Sequence, residues 1–123
     1  MLLKGTVYGS LVSKANSRRI TRTGLVIKSK KALDFTNSAI RQLQYMYKSE
    51  PITENVQLEL SIYYDSRRPD LSPELFFDCL EKAGVLKNDR QIFKYTCTKL
   101  LDKDKPRIEF GLDIYKPSDY TSK

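Results

Sequence analysis

Residues 54–64, ENVQLELSIYY, constrain the fold more than any other stretch of this chain. Val56, Leu58, Leu60, Ile62 and Tyr64 alternate with Gln57, Glu59 and Ser61. Successive side chains of a strand point to opposite faces, so the pattern predicts a strand with one apolar side that other elements must cover. A chain of 123 residues is long enough for one compact core and too short for two ordinary domains.

The neighbouring segments supply candidates for that cover. Residues 2–9 (LLKGTVYG) read as a strand ending at Gly9, residues 13–19 (SKANSRR) as a basic loop, and residues 20–28 as a hairpin or bulged strand around Gly24. A helix is predicted from about Ser29 to near Ser49, before Pro51, because Leu33, Thr36, Ile40, Leu43 and Tyr47 recur at helical spacing with Ala39 and Met46 beside them. After a turn at residues 65–69, Ser72-Pro73 has the pattern of a helix N-cap followed by proline in the first helical position. The second helix then runs from about 72 to 83, with Leu75, Phe76, Cys79, Leu80 and Ala83 as its apolar stripe and Gly84 as its left-handed terminator. Two further strands are predicted at about 91–101 and 107–115, joined by the charged turn DKDK. The expected fold is α+β (mixed α/β), of order β-β-α-β-α-β-β, with one mixed sheet and two helices. Residues 1–115 form its single domain and residues 116–123 a flexible C-terminal tail.

Charge and cysteine usage narrow the chemistry. Residues 1–69 carry 12 Lys/Arg against 5 Asp/Glu, whereas residues 70–123 carry 10 of each, so the whole surplus of +7 lies in the first part. Within the neutral part, Asp70, Glu74, Asp78, Glu81 and Asp89 face only Lys82 and Lys87 over residues 70–89. A basic surface with an embedded carboxylate group is one way to build a metal-dependent nuclease, and charge kept for solubility is the alternative. The chain has no histidine, and its two cysteines, Cys79 and Cys97, are expected to be buried thiols rather than zinc ligands. Any metal is therefore held by oxygen, which suits Mg²⁺ or Mn²⁺. No apolar run approaches membrane-spanning length, and Met1-Leu2-Leu3-Lys4 is interrupted by charge too early for a signal peptide, so a cytoplasmic protein without a membrane partner is expected.

On the second helix, Glu74, Asp78 and Glu81 fall on the side opposite Leu75, Cys79 and Leu80, with Asp70 just upstream. Like charges at this spacing destabilise a helix slightly, which a cation relieves. A solvated acidic face is the competing account, chiefly for Glu81. Asp70 follows one predicted strand and Asp89 precedes another, so the two are candidates to converge on a common metal, while either alone is an ordinary turn aspartate.

The segments Arg67-Arg68-Pro69-Asp70-Leu71-Ser72, Leu80-Glu81-Lys82-Ala83-Gly84-Val85-Leu86 and Asn88-Asp89-Arg90-Gln91-Ile92 together resemble the RusA family of Holliday junction resolvases. Residues 13–19 resemble the family's basic Ser/Asn loop, and Ser29 with Phe35 its first helix. The resemblance implies a homodimer that needs Mg²⁺ or Mn²⁺, uses no organic cofactor, and makes paired symmetric cuts in four-way (branched) DNA during recombination, repair or phage DNA processing. It carries over Asp70 and Asp89 as catalytic metal ligands. The family's second aspartate falls on Ser72, or, with the register shifted, on Asp70 with Arg68 at the first. The motif is broken either way, leaving Glu74 or Asp78 to supply the absent group, with Asp78 a further candidate metal ligand. The alternative is a catalytically weakened or inactive protein that binds structured nucleic acid. Lys14, Arg18, Arg19, Arg67, Arg68 and Arg90 are the expected phosphate contacts, and each is also an ordinary solvent-facing charge.

Overall fold

The computed structural model describes residues 2–12 and 18–117. Its elements are β1 (Leu3–Tyr8), β2 (Arg18–Ile20), β3 (Val26–Lys28), α1 (Lys30–Met46), β4 (Val56–Tyr64), α2 (Glu74–Lys82), β5 (Ile92–Leu101) and β6 (Arg107–Ile114). A 3-10 turn, Asp89–Gln91, leads into β5. The order is the one expected from the sequence, and the expected mixed sheet is present with strands in the order β1-β6-β4-β5. β6 is antiparallel to both β1 and β4, and β4 is parallel to β5. β2 and β3 form a separate hairpin, closed by Gly24 at φ +87°.

β4 keeps its predicted alternation: Val56, Leu58, Leu60, Ile62 and Tyr64 are all buried. They meet Ile108, Phe110 and Leu112 of β6, Val7 of β1, and the apolar faces of both helices in one core. The Phe76 ring of α2 lies 5.3 Å from that of Phe110. The opposite face of the sheet carries Glu59, Ser61, Tyr63, Arg107 and Glu109 and, among the described residues, no helix.

α1 begins as predicted at Ser29, whose hydroxyl accepts from the Ala32 N–H at 3.2 Å, and its predicted stripe is turned slightly, so that Thr36, Ala39 and Leu43 are buried as expected, Ala32 and Phe35 join them, and Leu33 falls outside. Ala32, Phe35, Thr36, Ala39 and Leu43 face the core, while Leu33 remains 45% exposed. The alanines allow the helix to approach the sheet closely, and Gly5 of β1 accepts the Met46 side chain where a Cβ would clash with its sulfur at 2.6 Å. The helix stops three residues before the expected end because Tyr47 turns extended and its hydroxyl donates to the Glu50 carbonyl at 2.6 Å.

α2 begins at Glu74, later than expected. Pro73, not Ser72, occupies the cap position, and no side chain caps the helix. Its other end is as predicted: Gly84 has φ +82°, the Val85 N–H bonds to the Leu80 carbonyl at 3.0 Å, and the Gly84 N–H to that of Glu81 at 3.0 Å. This terminator turns the chain so that Val85 and Leu86 are buried and pair with Ile52.

β5 forms an edge of the sheet. A bulge opposite Val56 and Gln57 leaves Phe93 out of register, and its ring lies 5.4 Å from that of Tyr115. Cys79 is buried as expected, but Cys97 on this edge strand is only partly covered. Phe77 packs edge-on against Tyr95 of β5 at 5.1 Å. Among the described residues no helix is long and apolar enough to cross a membrane. Of the expected tail, the Lys116 N–H donates to Gln57 at 3.3 Å, and residues 118–123 lie outside the described residues.

Candidate active site

Tyr64 is the last residue of β4 and carries a polar tip on an apolar ring, so its burial brings a hydroxyl to the edge of the core. That hydroxyl donates to the Asp70 carbonyl at 3.2 Å and accepts from the Ser72 N–H at 3.4 Å. Burial pushes it above the ordinary tyrosine value; the Ser72 N–H opposes the shift, and the nearby Cys97, Asp70 and Glu74 add to it. It therefore stays protonated at neutral pH and remains a donor to Asp70.

Around Tyr64 gather the exposed Asp70 and Lys99 and the partly buried Ser72, Glu74 and Cys97. The Ser72 hydroxyl donates to the Glu74 carboxylate. Burial, and then the charge of Glu74, raises the Cys97 thiol above its ordinary value. Arg67 and Arg68 are exposed on the same loop as Asp70, beyond the end of β4, and Glu74 opens the helix that follows.

Asp89 is built into a different place. Asn88 caps the 3-10 turn, accepting from the Arg90 N–H at 2.8 Å, and the Gln91 side chain accepts from the Asn88 N–H at 2.7 Å. The Gln91 amide, buried, also donates to the carbonyls of Ile52 and Glu54, each at 2.8 Å. Glu81 accepts from the Asp89 N–H at 3.0 Å.

The parallel pairing of β4 and β5 separates the two aspartates. Asp70 follows the end of β4, whereas Asp89 precedes the start of β5, where Ile92 pairs with Val56. The backbone of Asp70 is anchored beside the first turn of α2 and that of Asp89 beside the last, roughly 10 Å further along the helix axis. Asp78 lies partly exposed between them on α2. Each end thus has its own carboxylates and arginines: Asp70 and Glu74 with Arg67 and Arg68, and Asp89 with the exposed Arg90. Of the other predicted cations, Lys14 lies outside the described residues, as do the side chains of Arg18 and Arg19, whose backbone forms β2.

Sequence reasoning counted Tyr64 only as core, weighed Glu81 chiefly as a solvated acid and passed over Lys99. The last had a legible signal, because Lys99 interrupts the alternating row Tyr95, Cys97, Leu101 on the side of β5 that faces α2.

Carboxylates and arginines beyond the end of a βαβ unit, in a chain with a net charge of +7, suit a protein that acts on a phosphodiester polyanion. Residues 9–112 match the endodeoxyribonuclease RusA family. The chain belongs to that family and is accordingly an endodeoxyribonuclease, hydrolysing phosphodiester bonds within DNA. It is similar to a protein named crossover junction endodeoxyribonuclease RusA in Aquifex aeolicus (strain VF5), 29% identical over 100 residues that make up 79% of each chain.

Divalent ions take six or more oxygen ligands, several of them from carboxylates in a protein site. Among the described residues no three Asp, Glu or Cys side chains converge closely enough to hold one. The described part of a single chain therefore does not complete a metal cage.

Proposed function

We propose that the protein is a Holliday junction resolvase, a structure-specific endodeoxyribonuclease making paired, symmetric cuts in four-way DNA during recombination, repair or phage DNA processing. The observation that carries this reading is the loop at residues 65–72, which holds Arg67, Arg68 and Asp70 beside Glu74. In this reading the arginines grip the backbone phosphates, and Asp70 with Glu74 faces the phosphate to be cut. Arg90 does the same beside Asp89, with Asp78 between the two ends. Lys14, Arg18 and Arg19 extend the cationic surface, and selectivity for a branch comes from DNA shape rather than base contacts.

Mg²⁺ or Mn²⁺ is the cofactor such oxygen donors suit, with Asp70, Asp89 and Asp78 as its candidate protein ligands. When bound, the ion supplies an activated water and charge stabilisation for the leaving oxygen. The protein works as a homodimer, because a twofold axis sets equivalent sites on two symmetric strands of a junction. Residues 1–115 act as one nuclease domain, and the cytoplasm, where DNA is reached directly, is its place of action.

The test is incubation of a labelled synthetic four-way junction with the protein and Mg²⁺ or Mn²⁺, alongside linear duplex. Two symmetric incisions in the junction, lost in Asp70→Asn and Asp89→Asn, are expected. Tight junction binding with no incision in either metal would instead establish a binding protein that has lost catalysis. Ser72 favours that second outcome in the register that sets it at the second aspartate implied by the resemblance, because it offers there a hydroxyl bonded to Glu74 and no carboxylate.

A further inference from the structure

The loop that carries Arg67, Arg68 and Asp70 is held from beneath by side chains of two neighbouring strands. The Lys99 ammonium, from β5, donates to the carbonyls of Arg67 at 2.9 Å and Pro69 at 2.6 Å. The Tyr64 hydroxyl, from β4, holds the next carbonyl, that of Asp70, at 3.2 Å and receives the Ser72 N–H at 3.4 Å. The two anchors support one another, since the Lys99 ammonium lies 5.8 Å from the centre of the Tyr64 ring. Both residues point to the same side of the sheet, where Ile62 pairs with Lys99 and Tyr64 with Leu101.

This is an unusual use of a lysine. An exposed ammonium ordinarily keeps its hydration, and an ammonium on a DNA-binding surface is free to meet phosphate. Here two of its three donors are spent on backbone carbonyls, so its charge is committed to the loop. The loop gains order where it needs it, because it offers a Pro at 69 and exposed side chains at 67, 68 and 70 but little apolar surface of its own.

We infer that Lys99 and Tyr64 are positioning residues, a two-point clamp that sets the backbone from Arg67 to Ser72 and so fixes where Asp70 and the two arginines stand relative to α2. The inference rests on the proposed role of Asp70, but the clamp itself is a structural property that can be read without DNA. Displacing a reacting group by about an ångström is enough to slow a reaction by orders of magnitude. Removing the clamp therefore acts on the cleavage step more than on binding, because phosphate contacts tolerate small shifts that a reacting carboxylate does not.

The experiment compares Lys99→Met, Lys99→Arg, Tyr64→Phe and Asp70→Asn with the parent protein by two measurements. The first is the rate of tryptic cutting after Arg67 in the folded protein without DNA or metal. The second is single-turnover cleavage of a four-way junction, with junction affinity measured in parallel. Lys99→Met is expected to raise the tryptic rate and lower the cleavage rate, each about tenfold, at unchanged junction affinity. Lys99→Arg, whose guanidinium still spans two carbonyls, restores most of both, and Tyr64→Phe shows a smaller effect in the same direction. Asp70→Asn is expected to abolish cleavage while leaving tryptic resistance intact, which separates the clamp from the role of Asp70. An unchanged tryptic rate in both Lys99→Met and Tyr64→Phe overturns the clamp. So does a cleavage loss in Lys99→Met that Lys99→Arg fails to relieve, since the lysine would then act by some route other than its two carbonyls.

Discussion

The Glu81 carboxylate in the last turn of α2 accepts a hydrogen bond from the backbone N–H of Asp89 at 3.0 Å, tying the helix to the turn that presents the second candidate aspartate. A charged acceptor strengthens such a bond, although exposure of Glu81 keeps the gain at the low end of the range, about 1 kcal/mol. Glu81→Ala should cost about that much stability by denaturant unfolding. Its effect on junction cleavage should be larger in proportion, a several-fold fall in rate with unchanged junction affinity. Glu81→Gln, which keeps an acceptor oxygen, should recover most of the rate; equal loss in both variants would show that the charge, and not the bond, matters.

The neighbourhood of Glu74 can be tested through Cys97. Burial and then the Glu74 charge hold the Cys97 thiol above its ordinary value, so less of it is thiolate at mildly alkaline pH. Glu74→Gln removes the second cause and should lower that value, accelerating alkylation of Cys97 by iodoacetamide near pH 8 several-fold. Cys79 is fully buried and should stay unmodified in the folded protein, which makes the reaction site-selective. Alkylation no faster in Glu74→Gln than in the parent protein would place Glu74 too far from Cys97 to act on it.

What the sequence made legible follows from which forces act locally. The alternation in 56–64 and the Gly84 terminator were readable because each depends on residues within a few positions. The edge of the α1 stripe was not, because whether Leu33 or Ala32 and Phe35 complete the buried set around Thr36, Ala39 and Leu43 depends on how closely the sheet allows the helix to approach. Ser72 illustrates the same limit. Its pattern with Pro73 suits a cap, but Tyr64 of β4 takes its N–H and Glu74 its hydroxyl, so a partner from another element competes with the cap. Asp70 and Asp89 were recognisable as candidates, whereas their placement at opposite ends of α2 follows from β4 and β5 being parallel, which no short motif encodes.

On the open face of the sheet, Arg107 bonds Asp102 at 2.7 Å and Glu109 at 2.9 Å while its guanidinium lies 3.8 Å from the Tyr63 ring centre. The hydrogen bond from Arg107, followed by those from the Lys105 and Asp104 N–H groups, holds the Asp102 carboxyl below the ordinary aspartate value. A depressed folded value means that Asp102 contributes stability above its unfolded pKa and loses that contribution as pH falls through the folded one. Arg107→Met should therefore bring the Asp102 titration, followed by NMR, back up toward the ordinary range. The variant should also lose less stability than the parent protein between about pH 4 and pH 2, because the contribution being titrated away is already reduced.

The arginines at the loop make a prediction that separates grip from chemistry. Each phosphate contact releases counterions, so the logarithm of junction affinity falls with that of salt by a slope of about 0.9 per contact on duplex DNA. If Arg67 and Arg68 each hold one phosphate, Arg67→Ala/Arg68→Ala should reduce the steepness of that dependence by about 2 and weaken binding to all sequences alike. Arg90→Ala, beside Asp89, should reduce it by about 1 and add to the effect of the pair, because the two ends of α2 share no described contact through which these arginines could couple. Fluorescence anisotropy with a labelled four-way junction across a salt series checks all three slopes. A slope unchanged in the double variant would mean that the Asp70 end of the site does not meet the DNA backbone, and the cleavage site would then have to be sought at Asp89.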